Sequence, residues 1–184
     1  MSAPRFAHLS ETDYVRWLDD RPAGPDYAED SERLRLVWEL GCASGRLRAF
    51  FHDVRDVPDC DTFAAWARAP ERWFFLLYRR HAPVAFVCLE GLGVTGCQRL
   101  AHFCTLPTAS RDELVAVGRE YVRWLGQGTP IRQLLGITPS CYRHAIAFVR
   151  EVGFAPLATL RDAVVCRGRV RDAVLSLCDT ALAA

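Results

Sequence analysis

Residues 131–177 read IRQLLGITPSCYRHAIAFVREVGFAPLATLRDAVVCRGRVRDAVLSL, and this stretch decides the fold. Its pattern predicts a short apolar strand, then a helix, then two strands that follow the helix at once. Gly153 can adopt the positive φ that ends a helix, and Phe154 can then fold back onto the last helical turn. Arg167-Gly168-Arg169 marks the turn between the last two strands. The stretch therefore predicts a strand, a helix and a hairpin in direct succession.

The preceding segments supply the other strands and helices. A strand near residues 5–9 is followed by a predicted helix over 11–19, because Ser10 begins a Ser-x-x-acid capping pattern. Further helices precede a predicted hairpin over 73–92 and a third consecutive strand that ends at Pro107. A long amphipathic helix then connects this strand to the quoted stretch.

This order of elements predicts the sheet. Three consecutive strands favour antiparallel pairing, whereas the strand–helix–strand order over 98–137 requires a parallel crossover. We therefore expect an α/β (α+β) fold with a mixed, mostly antiparallel seven-stranded sheet and helices on both faces. Because no repeat or interdomain linker interrupts the pattern, a single domain over residues 1–184 is expected.

Composition narrows the classes of function. The 184 residues carry 23 basic and 22 acidic side chains, a formal net charge of +1, so no nucleic-acid partner is expected. No apolar run is long enough to span a membrane, and the first residues lack the apolar core of a signal peptide, so a cytoplasmic protein is expected. Every basic residue other than His is Arg, which excludes chemistry that needs a Lys amine.

The eight cysteines form no Cys-x-x-Cys pair, and we expect them to be reduced. Cys97, His102 and Cys104 lie close in sequence, but their spacing is not that of a zinc site, so no metal is expected.

The segment Ala145–Phe154 resembles a motif of the GNAT superfamily of acyl-CoA N-acyltransferases. Many members end the corresponding helix with Ala-x-x-Phe/Leu-Tyr-x-x-Leu-Gly-Phe, and a strand follows immediately. The resemblance in element order extends over nearly the whole chain. It implies one acyltransferase domain with acetyl-CoA or another acyl-CoA as cofactor, bound where the fourth and fifth strands splay apart.

The resemblance also implies a pyrophosphate-binding loop, Gln/Arg-x-x-Gly-x-Gly/Ala, at the start of the helix after Pro107. One register places Glu113 at its first position and Gly118 at its last, and a carboxylate there would repel a pyrophosphate. A second register begins at Arg111, ends at Ala116 and puts Leu114 in place of a glycine. The implied cofactor-binding residues are Arg111, Ala116, Val117, Gly118 and Arg119, with a backbone N–H near Thr105 or Leu106 that polarises the thioester carbonyl. Alternatively, Gly118 is a small packing residue, and Arg111 and Arg119 are solvated charges.

The catalytic residues are less clearly marked. Val149 stands where members of the superfamily commonly have a Tyr that protonates the leaving thiolate. Tyr142 lies seven residues earlier, two turns along the helix, and is the substitute candidate. Alternatively, Tyr142 is a partly buried residue that packs near the start of the helix. His102 is the best candidate for a general base, and Glu90 is the second. Strand alternation places His102 beside Leu100 and Cys104, so a buried structural His is the alternative.

The function implied is an N-acyltransferase that acts on an amine of a small molecule or a peptide. The loops around residues 20–30 and 52–60 would contact this substrate, and a homodimer is compatible with the sequence. The alternative is a catalytically inactive binding or assembly module with the same fold, which Glu113, Ala116 and Val149 favour.

Overall fold

The computed structural model describes residues 6–8, 13–17, 27–92 and 96–181, with side chains from residue 29 onward. In chain order the elements are β1 (Phe6–His8), β2 (Asp13–Trp17), α1 (Tyr27–Ala43), α2 (Arg46–Phe50), α3 (Cys60–Ala67), β3 (Arg72–Arg79), β4 (Ala82–Leu92), β5 (Gln98–Thr105), α4 (Arg111–Gly128), β6 (Gln133–Pro139), α5 (Arg143–Val152), β7 (Ala155–Cys166) and β8 (Arg169–Asp179).

The strands form one mixed sheet with the order β1-β2-β3-β4-β5-β6-β8-β7. The described residues form eight strands, which corrects the predicted seven, since residues 13–17 form β2 instead of part of a helix over 11–19. Strand β2 pairs antiparallel with β1 on one side and with β3 on the other. Tyr14, Val15 and Trp17 are residue types that favour strands, and the free edge of β3 stabilises that choice over the capping signal at Ser10.

Strands β5 and β6 diverge. The pairing of β4 with β5 extends from Ala85↔Thr105 to Leu92↔Gln98. By contrast, β5 and β6 run parallel and pair only from Gln98↔Gln133 to Leu100↔Leu135. These are the fourth and fifth strands of the predicted order, so the expected splay between them is confirmed.

Helices cover both faces of the sheet, as predicted. One core lies between the sheet and helices α4 and α5, and it contains Ala101 with Phe103 packed against it. The second core lies under α1, α2 and α3 and contains Cys104 and Leu106. The alternation predicted for β5 is therefore confirmed. Among the described residues, no helix combines the length and the apolar character needed to cross a membrane.

The turn after α5 has the predicted form. Gly153 adopts a φ of 122°, and the N–H of Phe154 donates to the carbonyl of Val149 at 2.9 Å. The Phe154 side chain is buried and lies against Phe103, with ring centroids 6.1 Å apart. Helix α5 is thus turned back onto the sheet, and β7 begins at the next residue. The β7–β8 turn is also as predicted, with Arg167 and Gly168 at φ 53° and 71°.

Candidate functional site

A cleft of about 680 Å³ lies at the point where β5 and β6 diverge. Its walls are residues 101–105 of β5 and 136–139 of β6. Residues of α2 line it on one face of the sheet, and the start of α4 with much of α5 lines it on the other. Helices of both faces of the sheet therefore contribute to the lining of this cleft.

Backbone groups of β5 point into this cleft. The N–H of Leu106 donates to the carbonyl of Val84 at 2.8 Å, so Leu106 bonds toward β4. In a strand, the backbone groups of alternate residues point to opposite sides. The N–H groups of Phe103 and Thr105 therefore point toward β6, which has already diverged. Thr105 lines the cleft, and its role toward the thioester stays a prediction. Leu106 is wrong as a candidate, because its N–H is engaged and its side chain is fully buried.

His102 lines the cleft on the face that α2 covers. Its ring lies 6.2 Å from that of Phe50, and its Nε2 atom is buried and makes no hydrogen bond. Burial lowers the pKa of His102, and the charge of Glu90 partly offsets this effect. The imidazole is therefore neutral at neutral pH and can accept a proton.

Glu90 connects His102 to a cation. One of its oxygens, Oε1, accepts a hydrogen bond from Nε of Arg72 at 2.9 Å. The other, Oε2, lies 3.8 Å from Nε2 of His102. His102 and Glu90, the two candidate bases predicted from the sequence, are thus neighbours. Arg72 fixes the position of the Glu90 carboxylate beside His102.

Tyr142 lines the cleft directly before α5. Its ring centroid is 6.2 Å from that of His52 and 6.0 Å from the Arg167 guanidinium carbon. Its hydroxyl is buried and makes no hydrogen bond of ordinary geometry. Burial is the largest cause that raises the pKa of Tyr142, so the hydroxyl keeps its proton. Val149 also lines the cleft but has no proton to give.

Side chains at the start of α4 cap the helix. Ser110 and Glu113 form a capping box, in which the N–H of Ser110 donates to the Glu113 carboxylate at 3.0 Å. These hydrogen bonds and the nearby Arg79 lower the pKa of Glu113. Arg111 lines the cleft and is paired with Glu151 at 2.8 Å, and its role in cofactor binding stays a prediction. A carboxylate therefore occupies the place where a helix N-terminus would otherwise bind an anion.

Four predicted cofactor-binding residues lie away from the cleft: Ala116, Val117, Gly118 and Arg119. Val117 is buried in the core, and Arg119 donates from Nε to the Glu151 carbonyl at 2.7 Å. Gly118 is the eighth residue of α4, and a Cβ atom there would meet Cγ2 of Val152 at 2.8 Å. The prediction that Gly118 lies in the first two turns with its amide facing a cleft is wrong. The residue is small because α5 packs directly against it.

The sequence missed two cations that line the cleft, Arg46 and Arg167. They come from α2 and from the β7–β8 turn, which are far apart in sequence. His52 also lines the cleft and belongs to the predicted substrate loop over 52–60, whereas residues 20–26 of the other loop lie outside the described residues. Among the described residues, no three potential metal ligands come together.

Solved structures with the same fold were found by comparison. A spermidine N-acetyltransferase from Vibrio cholerae in complex with CoA and spermine has a TM-score of 0.70 at 11% identity, over 95% of this chain and 99% of that one. A ribosomal L7/L12 α-N-protein acetyltransferase in complex with coenzyme A has a TM-score of 0.73 at 8% identity, over 96% and 98%. This chain has the GNAT fold.

A third GNAT-fold structure, a ribosomal-protein-S5-alanine acetyltransferase from Vibrio fischeri, has a TM-score of 0.67 at 9% identity, over 93% of this chain and 94% of that one. No protein-family model matches the sequence, and no curated protein matches it. The likeness is therefore one of GNAT architecture, and the chemistry must be inferred from the cleft itself.

Proposed function

We propose that the protein is an acyl-CoA-dependent N-acyltransferase that transfers an acetyl or other short acyl group to an amine. The observation that carries the proposal is the cleft at the β5–β6 splay, where unpaired backbone N–H groups of β5 lie beside the neutral imidazole of His102. Two solved structures with this fold are complexes with coenzyme A, which supports coenzyme A as the cofactor.

The open edge of β5 fits an acyl-CoA. The N–H groups of Phe103 and Thr105 would hold its amide and thioester carbonyl oxygens, and Arg111 would face its phosphates. The start of α4 fits less well, because Glu113 already caps the helix there. Acyl-CoA supplies a thioester whose carbonyl carbon the amine attacks, with the sulfur as leaving group.

The protein's own residues would then have three tasks. The Thr105 N–H donates to the oxygen on which negative charge develops. His102 accepts the proton that the amine loses, since its lowered pKa keeps it neutral. Tyr142 holds a proton at its hydroxyl and is the candidate donor on the leaving-group side.

Substitution of Thr105 tests this role of the backbone. Thr105→Pro removes the N–H that points into the cleft, while Thr105→Ala keeps it and removes only the side chain. We expect Thr105→Pro to lower the rate of acyl transfer by about 10²–10³-fold, as for loss of one oxyanion donor, and Thr105→Ala to change it little. Circular dichroism must show that both variants are folded. Equal rates for the two variants would contradict the role of the N–H.

The rival function is a binding or assembly module without catalysis. The capping box that closes α4 and the absence of a proton donor at Val149 favour it. A thermal-shift titration with coenzyme A separates the two functions, because a ligand that binds only the folded state raises its melting temperature. No shift at millimolar coenzyme A would support the module.

Other properties stay predictions. They are a single domain over residues 1–184, a cytoplasmic location and a homodimer. Strand β7 lies at the edge of the sheet and exposes Leu157 by 55%, which supports a second copy as a partner. Light scattering coupled to size exclusion would measure the oligomeric state.

A further inference from the structure

The charged side chains among the described residues that line the cleft all have the same sign. Three arginines and three histidines line it, and no Asp or Glu is among the described residues that do so. Glu90 and Asp53 raise the pKa of His102 through their charge, but neither lines the cleft. The surface offered to a ligand is therefore cationic.

The basic side chains that line the cleft fall into two groups. Arg111 belongs to the start of α4, on the face expected to receive the cofactor. Arg46 and His52 come from α2 and the residues after it, on the face that also presents His102. Arg167, in the β7–β8 turn, joins the second group. We call Arg46, His52 and Arg167 the α2-side wall.

Two hydrogen bonds to backbone carbonyls join His52 to the β7–β8 hairpin in the α2-side wall. The Nδ1–H of His52 donates to the Val165 carbonyl at 2.9 Å, since a carbonyl can only accept. In return, the N–H of Arg167 donates to the carbonyl of His52 at 3.3 Å. The end of α2 and the hairpin turn thus form one wall.

The two arginines of this wall differ from Arg111 and Arg72 in their ion pairing. Neither Arg46 nor Arg167 makes an ion pair with a described residue, whereas Arg111 is paired with Glu151 and Arg72 with Glu90. The guanidinium of Arg167 lies over the ring of Tyr142, 6.0 Å from its centroid. A guanidinium in the wall of a cleft can bind a carboxylate or a phosphate through two parallel hydrogen bonds.

We propose that the acceptor is an amine that also carries an anionic group, a carboxylate or a phosphate. Arg46 and Arg167 bind the anion, and this places the amino group toward His102. A polyamine, which carries only positive charge, is disfavoured by the same wall. This inference rests on the proposed function. The phosphates of coenzyme A are the other anions that could bind these arginines, but we expect them on the opposite face of the sheet, beside Arg111.

Matched pairs of amines test the proposal. Phenylalanine is compared with phenylalaninamide, and phosphoethanolamine with ethanolamine, with spermidine as the polycation. We expect the anionic member of at least one pair to have a kcat/KM about tenfold or more above its neutral partner, the effect of one charge-assisted hydrogen bond. Higher kcat/KM for both neutral members or for spermidine would overturn the proposal.

Arginine variants locate the anion. Arg46→Gln and Arg167→Gln should raise the KM for the anionic amine about tenfold and leave the KM for acyl-CoA unchanged. Arg169→Gln is the matched control, because it removes the same charge two residues from Arg167 at a position that does not line the cleft. If the two cleft variants instead weaken binding of coenzyme A, the cations bind the cofactor and the proposal is wrong.

Calorimetry with the same pairs, in the presence of unreactive coenzyme A, separates this proposal from the proposed function. Preferential binding of the anionic amines without turnover would contradict the acyltransferase and retain the anion site. Turnover with equal or better binding of the neutral amines would contradict the anion site and retain the acyltransferase.

Discussion

The Nε2 atom of His102 lies 3.8 Å from the Oε2 atom of Glu90, and the other oxygen of Glu90 is bonded to Arg72. His102 and Cys88 are directly opposite each other on β5 and β4, and Glu90 is two residues further along the same face. The register of two strands therefore brings a neutral imidazole and a carboxylate together at the wall of the cleft.

The pKa of His102 predicts the pH dependence of the reaction. Burial lowers this pKa below the ordinary His value of ~6.5. The base is active when deprotonated, so kcat/KM should rise with pH through a pKa below that value and be flat near neutral pH as far as His102 is concerned. His102→Gln should remove this acidic limb and lower the rate by ~10²–10⁴-fold. A folded His102→Gln variant with an unchanged rate and pH profile would eliminate His102 as the base.

Glu90→Gln should move the acidic limb in a defined direction. The Glu90 carboxylate raises the pKa of His102, and the nearby Arg72 lowers it. Loss of the carboxylate therefore lowers the pKa of His102 further, and the acidic limb shifts to lower pH. The pH–rate profiles of the wild type and Glu90→Gln, measured on the same substrates, provide the comparison. A shift to higher pH would show that Glu90 does not act on His102 in this way.

Gly118→Ala tests the packing of α4 against α5. The added Cβ would lie 2.8 Å from Cγ2 of Val152, and a β-branched side chain cannot easily move away. We expect a loss of about 1–3 kcal/mol in the free energy of unfolding, measured in urea, with coenzyme A affinity unchanged. In a protein that already carries Val152→Ala, Gly118→Ala should lower the free energy of unfolding by a smaller amount. Stabilisation by Gly118→Ala would mean that helix propensity outweighs packing.

The sequence predicted the sheet better than the site, for physical reasons. Alternation along β5 and the Gly153-Phe154 turn are local patterns, and local patterns determine which face each residue occupies. The spacing Ser110-x-x-Glu113 marks the start of α4, and it would have shown that Gly118 lies too far into the helix. Arg46 and Arg167 line the same cleft although they are far apart in sequence, because the residues after α2 are bonded to the β7–β8 turn through His52. No sequence spacing encodes that contact.

The cysteines give a prediction about oxidation. All eight are free, as expected from the sequence, and the Sγ atoms of Cys141 and Cys166 are 3.6 Å apart. Protein purified under reducing conditions should therefore yield eight thiols after unfolding. Oxidised glutathione should then remove two of them by thiol–disulfide exchange, releasing two molecules of reduced glutathione. Peptide mass mapping should find the link between Cys141 and Cys166, and Cys141→Ser should prevent it. A different pair would contradict the prediction.

Glu113→Gln tests whether the start of α4 contributes to cofactor binding. The amide can still accept the hydrogen bond from the Ser110 N–H, so the cap is retained while the negative charge is lost. If the pyrophosphate of coenzyme A lies near this helix start, removal of the charge should lower the dissociation constant several-fold, and more at low salt because screening is weaker. Asp112→Asn is a useful control, since it removes the neighbouring charge without affecting the capping box. Calorimetric titration at two salt concentrations measures both variants. An unchanged dissociation constant for Glu113→Gln at both concentrations would place the phosphates elsewhere and leave α4 a structural role alone.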